Sequence, residues 1–71
     1  MKSYAELLRG YIGKKGELGQ QDEGYWVFFL QKSALDVGKA KLIDVGTDFA
    51  EFSVANGFRF VPLNLLVLDV E

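Results

Sequence analysis

Residues 41–71 read KLIDVGTDFAEFSVANGFRFVPLNLLVLDVE and consist of short apolar runs separated by turn-forming residues. Within this stretch Ala50, Phe52 and Val54 alternate with the polar residues Glu51 and Ser53, which is the period of a strand with one buried face. The lengths and spacing of the runs predict strands and a mainly β fold class. The predicted ranges are about 39–45, 48–54, 58–61 and 65–70.

The connection at Asn56-Gly57 predicts a β-hairpin. A type I′ turn needs positive φ at both central positions, and this dipeptide supplies it most readily. From hydrophobicity, Phe58 and Phe60 are expected to face the core, with Arg59 turned outward between them. The last run, 65–70, is apolar on both of its faces, so its second face predicts contact with another subunit.

The N-terminal half predicts one helix and one further strand. Ser3 and Glu6 have the spacing of a capping box, and apolar residues then recur at the helical period, which predicts a helix over about residues 3–10. The run YWVFFLQ at 25–31 is rich in β-forming residues and predicts a central strand. The glycine-rich segment 13–24 predicts either an exposed loop or an added strand.

Length and composition predict a single domain, residues 1–71, that self-associates. The chain has 71 residues, of which 49% are hydrophobic, and it contains neither cysteine nor histidine. A domain of this size buries only about 60% of the surface that its unfolded chain exposes. Because disulfides and histidine-based zinc sites are excluded as supplements to the core, a homo-oligomer is expected.

Charge and hydropathy limit the classes of partner. The formal net charge is −2, whereas dedicated nucleic-acid binders usually carry a strongly basic face. No apolar run approaches the roughly 20 residues of a membrane-spanning helix, and the N-terminus lacks the apolar core of a signal peptide. A cytoplasmic protein without a membrane partner is therefore expected.

The predicted helix followed by short bent strands resembles the Sm-like family of small SH3-like barrels. The resemblance implies a strongly bent five-stranded barrel, with a one-turn connection at Pro62-Leu63-Asn64 between the last two strands. It also implies a closed homo-oligomeric ring in which the fourth strand of one subunit pairs with the fifth strand of the next. The subunit interface expected from this pairing includes Phe58, Phe60, Leu65 and Val67.

The RNA-reading motifs of that family are not matched. Where RNA-binding members have Asp-x-aromatic-x-Asn, this chain has Gly46 at the aromatic position and Asp48 at the amide position. No Arg-Gly pair follows the predicted fourth strand. The expected function is therefore a ring-forming structural or interaction module, and the alternative is an RNA-binding ring with a non-standard basic surface. The candidate nucleic-acid contacts are Lys14, Lys15, Asp48, Arg59 and Asn64.

Catalysis, cofactors and metals are not expected. Without histidine or cysteine the commonest acid–base and nucleophilic groups are missing. Two carboxylates flank Gly46 and suggest a weak cation site, but a strand-to-strand turn is the preferred interpretation. Gly10–Gly16 suggests a phosphate-binding loop, yet the end of a helix explains its glycines better. The aromatic cluster at residues 25–29 suggests a base-stacking platform, but packing in the core or an interface is preferred.

Overall fold

The structure is a computed structural model that describes residues 2–31 and 38–71. Within these ranges a helix comes first and is followed by six strands. One short 3-10 turn separates the first strand from the second, and another separates the fifth from the sixth. The elements are α1 (Tyr4–Arg9), β1 (Lys15–Gln20), a 3-10 turn (Asp22–Gly24), β2 (Trp26–Leu30), β3 (Ala40–Val45), β4 (Phe49–Val54), β5 (Gly57–Pro62), a 3-10 turn (Leu63–Leu65) and β6 (Leu66–Val70).

The strands form one six-stranded sheet with the order β5-β4-β3-β1-β2-β6. All neighbouring pairs are antiparallel except β2 and β6, which are parallel. The mainly β class with a short N-terminal helix is confirmed for the described residues. The five-stranded closed barrel is not, because the sheet has six strands and its end strands, β5 and β6, are not paired with each other.

The additional strand is β1, within the glycine-rich segment. It pairs with β2 from Glu17 to Gln20 and with β3 at Lys15 and Gly16. Gly16 is buried, and a Cβ there would collide with the Phe29 carbonyl oxygen. The absence of a side chain at this position lets β1 approach β2 closely, which is why a segment of low β-propensity forms a strand here.

The core lies on the inner face of the bent sheet and is closed at one side by α1. Phe28 and Phe52 are fully buried and meet edge to face, with ring centroids 4.7 Å apart. This geometry suits the opposite charges at the edge and face of aromatic rings. The other buried hydrophobic residues are Leu8, Leu30, Ala40, Leu42, Val45, Ala50, Val61 and Leu66.

Contacts at both ends of α1 attach the helix to the sheet. The Ser3 hydroxyl accepts a hydrogen bond from the Glu6 backbone N–H at 3.1 Å, as expected for an N-cap. Leu8 is fully buried, and Arg9 donates from Nε to the Val45 carbonyl oxygen at 3.4 Å. At the start of the helix, the Tyr4 hydroxyl donates to the Leu66 carbonyl oxygen at 2.7 Å. A six-residue helix, marginal by itself, is therefore held by tertiary contacts.

Tyr4→Phe is expected to destabilise the protein by about 1 kcal/mol, the usual net value of one hydrogen bond. Burial raises the pKa of Tyr4 above its ordinary value of 10.0, and a backbone hydrogen bond with Leu68 acts more weakly in the opposite direction. The folded state therefore holds the phenolic proton more tightly than the unfolded state. The contribution of the Tyr4 hydroxyl to the free energy of unfolding is fully present below pH 10.0 and is lost as the pH rises through the pKa of Tyr4 in the folded protein.

Urea unfolding of both forms below and above pH 10.0 measures this effect. The wild-type protein should lose more stability with rising pH than Tyr4→Phe does. The difference between their free energies of unfolding should therefore become smaller. A constant gap across this pH range would contradict the role given to the Tyr4 hydroxyl.

The β4–β5 hairpin differs from expectation in its turn and in its faces. Val54 pairs with Gly57, so Ala55 and Asn56 are the central turn residues, and Glu23 is the only described non-glycine residue with positive φ. The predicted hairpin is present, but the prediction of a type I′ turn centred on Asn56-Gly57 is wrong. Gly57, with φ of 141°, instead begins β5.

The predicted orientation of the β5 side chains is also wrong. Arg59 pairs with the buried Phe52 and so lies on its face of the sheet, whereas Phe58 pairs with Ser53 on the outer face. Phe58 and Phe60 are 65% and 61% exposed. The outward position of two phenylalanines is the main departure from the sequence-based expectation, and it defines the first candidate site.

Candidate functional site

The outer edge of β5 carries backbone groups that no strand within residues 2–31 and 38–71 pairs with. Pro62 has no N–H, and the Leu63 N–H donates to the Asp48 carbonyl oxygen at 2.9 Å, just beyond the pair formed by Phe49 and Pro62. Because hydrogen-bonded and non-hydrogen-bonded pairs alternate in an antiparallel ladder, Phe49–Pro62 is a non-hydrogen-bonded pair. By the same alternation, Phe58 and Phe60 direct their N–H and C=O groups away from β4, toward the open edge.

The same two residues expose aromatic side chains. Phe60 packs on Phe49 of the neighbouring strand, with ring centroids 5.9 Å apart and planes inclined at 52°. Phe58 lies two residues away on the same face, and the exposed Pro62 follows at the end of the strand. This "β5 edge", defined as Phe58, Phe60 and Pro62 together with Phe49, combines apolar side chains with free hydrogen-bonding groups.

The opposite edge of the sheet is covered at one end. The Glu71 N–H donates to the Leu30 carbonyl oxygen at 2.8 Å, so alternate residues of β6, beginning at Val67, bond toward β2. Leu66 and Leu68 therefore direct backbone groups away from β2. Tyr4 of α1 occupies this position, since its hydroxyl donates to the Leu66 carbonyl oxygen. Of the two edge strands, β5 is thus the more accessible.

A second feature is a groove over the rim of the sheet, where β3 begins and the β4–β5 turn lies. Two adjoining cavities of about 300 and 250 Å³ share Lys39, Ala40 and the chain at Val54–Ala55 as a common wall. We call this the rim groove and define it by the polar and aromatic residues that line it. They are Lys15, Trp26, Lys39, Lys41, Ser53, Asn56 and Arg59.

Trp26 and Arg59 form the inner wall of the rim groove. The Arg59 guanidinium carbon lies 5.0 Å from the centroid of the Trp26 ring, within the range of a cation–π interaction. Trp26 begins β2 on the inner face and is half-buried, while Arg59 crosses to it from β5. This contact places a cationic group over an aromatic ring in the mouth of the bent sheet.

The outer wall of the rim groove is lined by lysines. Lys15 and Lys41 are direct cross-strand partners on β1 and β3, and Lys39 lies just before β3. Like charges placed directly opposite each other on a sheet are destabilising. Four of the chain's eight lysine and arginine residues thus lie at one groove, and no carboxylate is among the described residues that line it.

The structure separates the residues predicted to contact nucleic acid. Lys15 and Arg59 line the rim groove, but Lys14 does not. Asp48 and Asn64 lie at the other end of the β4–β5 hairpin, next to the Phe49–Pro62 pair. They therefore do not form one site with Arg59.

Of the residues predicted at the subunit interface, Phe58 and Phe60 form the β5 edge. Val67, 47% exposed, and the half-buried Leu65 lie at or beside β6, at the other end of the sheet. The four predicted residues thus divide between the two outermost strands.

The loop around Gly46 has the geometry of a turn. The Asp44 carboxylate accepts a hydrogen bond from the Val45 backbone N–H at 2.9 Å, and Arg9 extends to the Val45 and Gly46 carbonyl oxygens. Within residues 2–31 and 38–71 no group of three or more acidic residues is arranged to hold a metal ion. The Gly13 N–H donates to the Leu42 carbonyl oxygen at 2.7 Å, so it is engaged with β3 and does not face an open loop.

Comparison of the chain with protein-family models, with curated proteins and with solved structures gives no significant match. Among the described residues, no helix has the length and apolar character needed to cross a membrane. The function is therefore argued from the β5 edge and the rim groove themselves.

Proposed function

We propose that the protein is a self-associating structural or interaction module that assembles through the β5 edge. The observation that carries the proposal is the coincidence, at Phe58 and Phe60, of outward aromatic side chains with backbone groups that have no partner strand in the described part of the chain. An edge strand of this kind is a template for pairing with another strand. The proposal assigns binding to the chain and no catalytic step.

The partner that fits this edge is a second copy of the same strand, antiparallel about a two-fold axis. In a register centred on Phe60, the two Phe60 residues exchange both backbone hydrogen bonds. Each Phe58 N–H then donates to the Pro62 carbonyl oxygen of the second copy, and Pro62 contributes no N–H that would be left unpaired. The register therefore leaves no donor unpaired, and only the Phe58 carbonyl oxygen, for which Pro62 has no N–H, is left to bond with water.

Side chains support the same register. It places the two Phe60 rings across from each other and each Phe58 across from a proline, and aromatic cross-strand pairs of this kind stabilise sheets. It also places Arg59 opposite Val61, which avoids the like-charge pair that a register centred on Arg59 would create. A two-fold interface of this kind is closed and stops at the dimer.

A ring of the Sm-like type is the competing assembly. It requires β5 of one copy to pair with β6 of the next, and Tyr4 lies on the β6 edge at Leu66. Ring closure by this route would displace α1 and leave the Leu66 carbonyl oxygen to find another donor. The two-fold route leaves α1 in place, which is why we prefer it.

Light scattering of the purified protein at micromolar concentration tests the proposal. The wild-type protein should have twice the 7.9 kDa mass of one chain, and Phe60→Lys should have the mass of one chain while keeping its circular dichroism spectrum. The matched control is Val67→Lys, at the exposed position on β6, which should leave the dimer intact. A larger closed assembly that both substitutions disrupt would support the ring, and a monomeric wild-type protein would refute self-association.

A further inference from the structure

We propose that the rim groove binds a nucleotide unit, that is, a flat heterocyclic base with an attached phosphate. The inference does not depend on self-association, because no residue of the β5 edge lines the groove. It rests on three properties of the groove: its electrostatics, its flat inner wall and its size.

The electrostatics select an anion. A chain of net charge −2 holds half of its cationic side chains around one groove, with lysines facing each other across β1 and β3. A bound phosphate would relieve the repulsion between Lys15 and Lys41, and both side chains can donate charge-assisted hydrogen bonds to phosphate oxygens. Lys39 lies on the shared wall of both cavities, where it can reach the same group.

The inner wall selects a flat ring and not a simple inorganic anion. Bases stack on aromatic side chains and on arginine guanidinium planes, and here the Arg59 guanidinium already lies over the Trp26 ring. A base stacked on the exposed side of Arg59 would extend this pair to three layers. Asn56, from the β4–β5 turn, lines the same cavity and offers both a donor and an acceptor to a base edge.

The size of the groove agrees with one nucleotide unit. The cavity that contains Trp26 and Arg59, about 300 Å³, is at the lower end of the range for small-molecule sites. The second cavity, about 250 Å³, opens onto the lysines of the outer face. A base in the first cavity therefore places its phosphate toward the second. The same chemistry occurs in a free mononucleotide and in a single-stranded nucleic acid.

Trp26 is the only tryptophan, so its fluorescence reports directly on the proposed site. The titrants are adenosine and uridine 5′-monophosphates, single-stranded adenosine and uridine oligonucleotides, and inorganic phosphate and polyglutamate as comparison anions. Binding heats are measured in parallel at low salt. Saturating quenching by the mononucleotides identifies a free nucleotide as the ligand. Quenching by the oligonucleotides alone identifies single-stranded nucleic acid.

Variants test the assigned roles. Arg59→Lys keeps the positive charge but removes the planar guanidinium group, and should weaken binding about tenfold, within the range for the loss of one base-stacking contact. Lys39→Ala should weaken binding of all nucleotides alike and lower the slope of log affinity against log salt by about 1. Lys14→Ala is the matched control, since Lys14 is outside the groove, and should bind as the wild-type protein does.

Three results would overturn the inference. They are absence of quenching by every nucleotide and oligonucleotide at low salt, equal affinity for polyglutamate or inorganic phosphate, and equal loss of binding in Lys14→Ala and Lys39→Ala. The titrations are repeated on monomeric Phe60→Lys, which retains the whole groove. Binding by this variant separates the outcome for the groove from the outcome for the β5 edge.

Discussion

Phe52→Ala is expected to reduce the free energy of unfolding by about 3–5 kcal/mol, the range for removing a buried aromatic ring. Phe52 is fully buried, and its ring meets that of Phe28 edge to face at 4.7 Å. The substitution removes this contact and leaves a cavity between β2 and β4, which the surrounding strands can fill only in part. Small domains have little stability to spare, so much of the variant should be unfolded at 37 °C.

Phe58→Ala is the matched control for this prediction, because it changes the same residue type in the same hairpin. Phe58 is 65% exposed and lies on the outer face, so its replacement should change monomer stability by no more than about 0.5 kcal/mol. Chemical denaturation should be carried out in the monomeric Phe60→Lys background so that assembly does not contribute. Equal destabilisation by the two substitutions would contradict the observed register of β5.

Gly16→Ala is expected to cost about 1–3 kcal/mol or more, the range for overpacking a filled interior. The added Cβ would collide with the Phe29 carbonyl oxygen and lie 2.8 Å from Leu30 Cδ2 and 3.1 Å from Phe28 Cε1. The carbonyl oxygen belongs to the backbone of β2, so it can move only if β1 separates from β2. The expected result is weaker pairing of β1, seen as faster amide hydrogen exchange in β1 and β2 and as a lower unfolding midpoint.

Gly19→Ala provides the control within the same strand. A Cβ at Gly19 meets no atom within 4 Å, and its φ is not positive. Replacing this glycine should be neutral or slightly stabilising, because alanine reduces the conformational entropy of the unfolded chain. If Gly16→Ala were as stable as Gly19→Ala, the close approach of β1 to β2 would be refuted.

The alternation in β4 could be predicted from sequence because a single strand with one buried face carries its own period. Ala50 and Phe52 are fully buried as expected. The prediction of which β5 side chains face the core is wrong, because the register of the hairpin decides their orientation and hydrophobicity does not. Given that Phe52 faces inward, a two-residue turn places Arg59 and not Phe58 on the inner face. The signal was present in the spacing, since a strand's side chains alternate strictly between faces.

The rim groove could not be predicted in the same way. Its residues come from separated places in the chain, including the start of β2, the start of β3 and the β4–β5 turn. Only the bending of the sheet and the pairing of β1 with β3 bring Lys15 and Lys41 together with Lys39. The sequence pattern identified Lys15 and Arg59 as cationic candidates, but it contained no signal that Trp26 would lie beneath Arg59.

The parallel pairing of β2 with β6 has a consequence for synthesis on the ribosome. The residues of β2 find their partners in β6 only after the whole β3–β5 meander has been made. Until residue 70 leaves the exit tunnel, one edge of β2 stays unpaired in the nascent chain, and such edges favour aggregation. Completion of the fold is thus expected to be a late step, slowed by the long loop that must close before this pairing stabilises the chain.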